Sequence, residues 1–205
     1  MTYRLQPGQK VLIAGQNGSG KSVMATSLAR AMDRVLVYDP KGDPEAVIPN
    51  AAIVTTARDA VRALPGRVVY QPNALEAADG VAKFDEIARR LIQAGGSCGV
   101  VVHELASLGT AYAIGPWHRA LITQGRSLQI TVVEVTQRPR NVPIVALSEA
   151  QHLVCFTLLN PDDRDVMAGY MGPPVRLAPL PLDHSWWYRG PDLRLHLHSA
   201  IAYPA

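Results

Sequence analysis

The sequence predicts an α/β fold, in which a mostly parallel sheet is flanked by helices and a β-hairpin ends the chain. Short runs rich in Val, Ile and Leu alternate with segments of helical spacing, which is typical of parallel strands joined by crossover helices. With 205 residues, of which 48% are hydrophobic, the chain is long enough for one sizeable core. We expect this core to occupy residues 1–172. A Pro-rich linker and hairpin, residues 173–205, should pack on the same domain.

The composition excludes several classes of protein. The formal net charge is only +3, so charge alone does not argue for a nucleic-acid partner. Cys98 and Cys155 lie far apart and in no Cys/His cluster, which argues against a disulfide framework or a zinc site and favours a reducing compartment. The first residues lack a signal-peptide core, and no run approaches the ~18 apolar residues of a membrane span. We therefore expect a cytoplasmic protein without an intrinsic membrane span.

The first strand leads into a glycine-rich turn and a helix. The strand covers residues 11–14, and the helix runs from Lys21 to about Met32. The turn between them has the spacing of a P-loop, whose backbone N–H groups bind phosphate at the positive end of a helix. Lys21 would bind the β- and γ-phosphates of a nucleotide, and Ser22 would bind Mg²⁺. The expected nucleotide-binding residues of this turn are Gly15, Asn17, Gly18, Ser19, Gly20, Lys21 and Ser22.

A second strand, residues 34–39, stops at a proline-containing turn. Asp39 stands at its carboxyl end, and Lys41 and Asp43 follow. Ligands of open α/β sheets bind outside the carboxyl ends of the strands, so these three residues should approach the nucleotide, with Asp39 as a candidate contact. The alternative is an ordinary charged turn, because Pro-Lys-Gly-Asp is also good turn chemistry.

Two short strands and a packing helix come next. The strands are expected at residues 52–55 and 68–71. Apolar residues then recur at helical spacing between Asp79, a candidate N-cap, and the terminating Gly95.

A buried strand at residues 99–104 becomes polar only at its end, in His103 and Glu104. This is the pattern of a Walker B strand, and Glu104 is placed to act as the base that activates water. His103 occupies the place of the usual Asp, although Mg²⁺ prefers oxygen ligands. We favour a strand-end histidine hydrogen-bonded to a neighbouring loop over a metal ligand.

The longest β-type run, residues 128–135, follows a helical segment at residues 116–124 and ends before Pro139. Gln137 should therefore lie at the nucleotide edge, as a sensor of the γ-phosphate or of the attacking water. Arginines cluster on both sides of this strand and could bind the phosphate of the same subunit, of the next subunit or of a nucleic acid. They are Arg126, Arg138 and Arg140, and for Arg140 we favour a solvated loop charge.

The last third of the chain alternates in the same way. A short helix within residues 141–150 precedes a strand at residues 152–158, and Asn160 should cap a helix that ends near Gly172. The hairpin pairs residues 184–188 with residues 193–198. His196 and His198 lie on one face of its second strand, which we interpret as a polar strand face and not as a metal site.

Four motifs together resemble a known family. They are residues 15–22, the turn Tyr38-Asp39-Pro40-Lys41-Gly42-Asp43, the strand ending in His103-Glu104, and Thr136-Gln137-Arg138-Pro139. In this order they resemble the HerA/FtsK superfamily of ring-forming P-loop ATPases with a RecA-like sheet, which includes chromosome translocases, conjugative coupling proteins and genome-packaging ATPases of tailless double-stranded DNA viruses. The resemblance covers about residues 8–170. Its most specific parts are the Asp-Pro-Lys-Gly turn and the Gln-Arg-Pro edge.

The resemblance implies ATP and Mg²⁺ as cofactors, with Lys21 and Ser22 as their ligands. It implies Glu104 as the catalytic carboxylate and Gln137 as the polar sensor. Arg126 and Arg138 become candidates for an arginine finger that acts across a subunit interface. The implied partners are double-stranded DNA, further copies of the chain in a ring, expected to be a hexamer, and a capsid or portal-vertex protein.

The absence of a membrane segment favours the viral genome-packaging branch, located in the host cytoplasm or at a virion vertex. Three alternatives stay open at this point. One is another DNA pump of the same superfamily, for conjugation or chromosome transfer. The second is an ATP-binding assembly switch with weak or no hydrolysis, suggested by His103. The third, a small-molecule kinase or GTPase, is disfavoured because the guanine-reading Asn-Lys-x-Asp motif and an Arg-rich lid are missing.

Overall fold

Strands and helices alternate along most of the chain, as the sequence predicts. The computed structural model describes residues 5–177 and 179–200. In chain order the elements are β1 (Lys10–Ala14), α1 (Lys21–Arg30), β2 (Val35–Tyr38), β3 (Ala52–Val54), α2 (Ala57–Ala63), β4 (Arg67–Tyr70), α3 (Ala74–Ala78), α4 (Gly80–Ala94), β5 (Cys98–Val102), β6 (Gly109–Thr110), β7 (Ala113–Ile114), α5 (Pro116–Gln124), β8 (Ile130–Thr136), α6 (Ile144–Glu149), β9 (His152–Cys155), α7 (Pro161–Met171), α8 (Pro174–Leu177), β10 (Trp186–Arg189) and β11 (Leu195–His198).

Nine of these strands form one sheet in the order β11-β10-β9-β1-β8-β5-β2-β4-β3. The seven strands from β9 to β3 are parallel to their neighbours. β10 pairs antiparallel with β9, and β11 with β10, so the terminal hairpin extends the main sheet. The predicted fold class is confirmed. β8 lies between β1 and β5, which places the end of the Gln137 strand between the P-loop and Glu104.

The core has two layers because alternate residues of a strand point to opposite faces of the sheet. The central strands β1, β5 and β8 are buried along their whole length. On one face, α1 packs against alternate strand residues, which include Ile13, Val37, Val101 and Val133. On the other face, α2, α4, α5, α6 and α7 cover the alternating set, which includes Leu12, Leu36, Val100 and Val132. The P-loop helix α1 is therefore the main helix that covers this face of the sheet.

Some boundaries differ from the predicted ones. β8 begins at Ile130, because Gln129 has a left-handed backbone with φ 56° and belongs to the preceding turn. β9 ends at Cys155, after which the chain runs beside the P-loop, where the Thr157 carbonyl accepts from Gln16 N at 2.9 Å. Asp79 occupies the N-cap position of α4 but makes no side-chain capping bond, whereas Asn160 caps α7 through Asp162 N as predicted.

The carboxyl-terminal segment contains α8 and the hairpin of β10 and β11, and His198 stacks on Trp186 with ring centroids 4.3 Å apart. Residues 1–4, 178 and 201–205 of the two predicted ranges lie outside the described residues. Among the helices that the structure describes, none is both long and apolar enough to cross a membrane.

Candidate nucleotide site

A cleft of about 280 Å³ opens where β1, β2, β5 and β8 end. Most of the predicted nucleotide-binding and catalytic residues line it, namely Asn17, Gly18, Gly20, Lys21, Ser22, Asp39, Glu104 and Gln137. Lys41, His103 and His184 share the lining. The four stretches predicted from the sequence thus meet at one edge of the sheet, as expected for the carboxyl ends of neighbouring parallel strands, and His184 adds a fifth.

The P-loop backbone requires its glycines. Gly18 and Gly20 have left-handed backbones, with φ of 74° and 98°, which glycine adopts at little cost. A Cβ on Gly15 would lie 2.5 Å from the buried Ser19 Oγ and 2.8 Å from Phe156 Cβ. Gly15 and Ser19 therefore shape the loop from behind, while the glycines at positions 18 and 20 face the cleft.

Lys21 is the buried cation of this site. Its ammonium donates to the Gln16 carbonyl at 3.3 Å and forms no ion pair within the described part of the chain. Burial lowers the pKa of Lys21 from 10.5, and the nearby Lys41 lowers it further, while Glu104 acts in the opposite direction. A buried ammonium without a carboxylate partner fits an incoming phosphate.

Asp39 holds the turn that follows β2. Its buried carboxylate accepts from Lys41 N at 3.2 Å, from Asp43 N at 2.6 Å and from the Gln71 side chain at 3.0 Å. Both interpretations of this turn apply, because it lines the cleft and is also built by local hydrogen bonds. The contact of Asp39 with a nucleotide stays a prediction, since its oxygens are already engaged.

Glu104 and Gln137 are brought together, with Gln137 Nε2 3.4 Å from Glu104 Oε2. The same oxygen accepts from Lys41 Nζ at 2.6 Å. Sequence reasoning missed this ion pair, since the two residues are 63 positions apart and only the sheet brings them together. A carboxylate held by an ammonium has one oxygen less for a water molecule, so the pair bears directly on any role of Glu104 as a base.

His103 is buried at the end of β5 and lines the cleft. Its backbone N donates to the Tyr38 carbonyl at 2.9 Å, but neither ring nitrogen has a hydrogen-bond partner among the described residues. The interpretation that a neighbouring loop holds the ring is therefore not supported. Burial lowers the pKa of His103, and Asp39 and Asp43 offset this only in part, which favours the neutral ring.

The three arginines are placed differently. Arg138 pairs with the buried Asp163 at 2.8 Å, in a groove next to the cleft, and Arg140 pairs with Asp162 at the surface. Arg126 is exposed near the amino end of β8, and its Cα lies 2.7 Å from the place of a Cβ on Gly8. It is thus at the edge of the sheet opposite its own cleft. The structure leaves both finger candidates as predictions.

His184 is a cleft residue that sequence reasoning missed. It precedes β10, has φ 62°, and its Nδ1 lies 3.4 Å from the position of a Cβ on Gly20. No local signal marks it, because it reaches the P-loop through the pairing of β10 with β9, the neighbour of β1. The carboxyl-terminal segment therefore forms part of the wall of the cleft.

Comparison with known proteins agrees with this geometry. No protein-family model matches the chain. The DNA packaging ATPase P9 of Enterobacteria phage PRD1 is 29% identical over 192 residues, which cover 88% of this chain and 77% of P9.

Solved structures share the fold, among them a packaging NTPase and a conjugation coupling protein. The genome packaging NTPase B204 from Sulfolobus turreted icosahedral virus 2, in complex with AMPPCP, superposes with a TM-score of 0.75 at 14% identity, over 96% of this chain and 100% of that one. The pCW3 conjugation coupling protein TcpA has a TM-score of 0.57 at 15% identity, over 92% of this chain and 59% of its own. In sequence and in fold, the chain thus resembles the viral genome-packaging ATPases of the HerA/FtsK type, as its four motifs predicted.

Proposed function

We propose that the chain is an ATP hydrolase that moves double-stranded DNA, and that it packages a viral genome into a capsid. The observation that supports this most directly is the cleft itself, where a P-loop lysine faces a carboxylate and an amide from two other strands. Among the many uses of such a site, the sequence similarity to a DNA packaging ATPase supports this one.

The residues present fit ATP with a divalent ion. The amides of the P-loop and the Lys21 ammonium would bind the β- and γ-phosphates, with the amino end of α1 adding its positive potential. Ser22 offers a hydroxyl oxygen in the same cleft, and the nucleotide supplies further oxygens. When bound, Mg²⁺ neutralises charge on the phosphates. The fit is incomplete at His103, which offers a nitrogen where a carboxylate is usual.

Glu104 and Gln137 would carry out the proton chemistry. Glu104 accepts a proton from the attacking water, and Gln137, whose Nε2 lies 3.4 Å from Glu104 Oε2, orients that water. Lys41 holds only Oε2 of this carboxylate, and the γ-phosphate is an acceptor that competes for the same ammonium. ATP binding would thereby weaken the hold of Lys41 on Oε2 and make the carboxylate a stronger base.

The ring and the DNA follow from the same proposal. An arginine from one subunit would complete the site of the next, so hydrolysis requires assembly, for which we propose a hexamer. DNA would be held mainly through its phosphates, with little sequence preference and a steep salt dependence. A capsid or portal-vertex protein would anchor the ring, in the host cytoplasm or at the virion vertex.

Two observations favour a second candidate, an ATP-binding assembly switch. Lys41 forms an ion pair with Glu104, and His103 stands where a carboxylate is usual. Both features would slow hydrolysis. In this alternative, nucleotide binding would drive ring assembly while turnover stays low.

Steady-state ATP hydrolysis at high protein concentration, with and without long duplex DNA, separates the two. We expect DNA to raise the rate, the stimulation to weaken as salt is added, and Lys21→Ala to abolish it. Hydrolysis that ignores DNA would contradict the motor. Nucleotide-dependent assembly without turnover would support the switch.

A further inference from the structure

His103 lines the cleft, and both of its ring nitrogens are buried with no hydrogen-bond partner among the described residues. Buried polar groups without a partner are rare in folded proteins, because each costs about 1–3 kcal/mol in lost hydration. Such an atom at the wall of a binding cleft indicates that a bound species completes it. The ring therefore points to something that enters with the nucleotide.

The surroundings of His103 identify that species. His103 lines the cleft together with Asp39, Asp43 and Lys21, and so shares it with the acidic turn and the phosphate-binding lysine. Ser22 lines the same cleft. A divalent ion bound between Ser22 and the phosphates would thus be near the imidazole.

The carboxylates at the carboxyl ends of β2 and β5 are already engaged. Asp39 accepts three hydrogen bonds from its own turn and from Gln71, and Glu104 is paired with Lys41. His103, at the end of β5, has no hydrogen-bond partner for its ring among the described residues. A neutral ring presents a lone pair, as histidine metal ligands do.

We propose that His103 binds the divalent ion of the nucleotide site directly through a ring nitrogen, so that the site favours Mn²⁺ or Co²⁺ over Mg²⁺. The physical reason is the preference of each ion: imidazole suits first-row transition metals, whereas Mg²⁺ takes oxygen ligands and keeps its waters. The inference rests on the proposed nucleotide site but not on hydrolysis or on DNA.

The first test is spectroscopic and uses the full chain. Mn²⁺ and a non-hydrolysable ATP analogue are bound to protein that carries isotope-labelled histidine, and pulsed electron paramagnetic resonance records nitrogen couplings to the ion. We expect a histidine coupling that disappears in His103→Gln and persists in His196→Gln, a matched control on β11, outside the cleft. A wild-type complex without a histidine coupling overturns the proposal, whether or not the variants fold.

The second test compares nucleotide affinity with Mg²⁺, Mn²⁺ and Co²⁺ in wild type and in His103→Asp. We expect the ratio of the Mn²⁺ to the Mg²⁺ affinity to fall in the variant by about 10-fold or more, the scale on which changes around metal sites act. An unchanged ratio also overturns the proposal. If wild type binds no nucleotide with any of these ions, the proposed nucleotide site itself is wrong. This result differs from an unchanged ratio, which contradicts only the role of His103.

Discussion

Glu104 is the residue on which the catalytic proposal depends, because it is the one carboxylate that contacts both the sensor Gln137 and the cation Lys41 in the described cleft. Glu104→Gln keeps the size of the side chain and one accepting oxygen but removes the charge and the base. We expect the turnover number to fall by about 10²–10⁴-fold while nucleotide affinity is retained. Turnover and the dissociation constant of a fluorescent ATP analogue measure the two effects. Glu149→Gln, on α6, is the matched control, and equal losses in both variants would contradict the assignment.

Lys21 gives the site a pH dependence. Its pKa is lowered from 10.5, chiefly by burial, so it loses its charge at a lower pH than an exposed lysine. Nucleotide affinity should therefore fall as pH rises through this lowered pKa. The stability of the nucleotide-free chain should change with the opposite sign, because the unfolded state binds more protons in the window between the lowered pKa and 10.5, and so stability rises with pH there.

Titration of nucleotide affinity and urea unfolding across that window, in wild type and Lys21→Met, checks both signs. The difference between the two proteins isolates Lys21 from the other lysines and tyrosines. A wild-type affinity that stays constant up to 10.5 would show that the ammonium keeps its ordinary pKa.

At the scale of elements, the P-loop depends on space behind Gly15. Gly15→Ala would place a methyl group against Ser19 Oγ and Phe156, so the loop must shift. We expect a loss of about 1–3 kcal/mol in unfolding free energy and a weaker nucleotide affinity. Gly169→Ala is the control, since Gly169 is exposed in α7 with open space at its Cβ position, and alanine there should add about 0.5–1 kcal/mol. Urea unfolding and nucleotide titration measure both.

α5 is joined to β8 by a buried pair, His118 Nε2 and Glu134 Oε1 at 2.8 Å, which the catalytic proposal does not use. His118→Leu leaves the Glu134 carboxyl buried without this partner, and we expect a loss of about 3–5 kcal/mol in unfolding free energy. The double variant with Glu134→Leu should regain much of the loss, because it removes the orphaned group as well. A double variant as unstable as the single one would mean that packing alone explains the effect.

Sequence reasoning found the elements whose signal is local. The strands ending at Ala14, Tyr38 and Thr136 are apolar runs of strand length. The start of α7 is marked by two adjacent residues, the N-cap Asn160 and Pro161 at the first helical position. Sequence reasoning missed the α8 helix and the short hairpin of β6 and β7, which have too few residues to show a period.

The residues of the candidate site also fall into those with a local sequence signal and those without one. The P-loop, Glu104 and Gln137 follow from motifs, because each motif sits at the end of one strand. The Lys41–Glu104 ion pair and the approach of His184 to Gly20 depend on strand order, which the local pattern does not encode. Whether the His103 ring has hydrogen-bond partners depends on the residues packed around it. The sequence therefore does not predict that both ring nitrogens lack a partner among the described residues.

At the scale of the whole molecule, an arginine finger makes hydrolysis depend on assembly, because it acts on the site of a neighbouring subunit. Arg126 lies at the edge of the sheet opposite its own cleft and has no ion-pair partner among the described residues, whereas Arg138 is bound to the buried Asp163. Arg126 is therefore free to act on a neighbouring subunit, and the loss of Arg138 would leave a buried carboxylate unpaired. We expect Arg126→Ala to lower hydrolysis by about 10³–10⁵-fold without changing stability.

Mixing two inactive variants tests whether that arginine acts between subunits. A ring of Arg126→Ala and Glu104→Gln chains contains interfaces where an intact Glu104 meets the intact arginine of its neighbour, so the mixture should regain part of the activity. Each variant alone, at the same total concentration, provides the baseline, because neither can form such an interface. A mixture no more active than its components would contradict a finger at Arg126, and an active Arg126→Ala protein would transfer that role to Arg138.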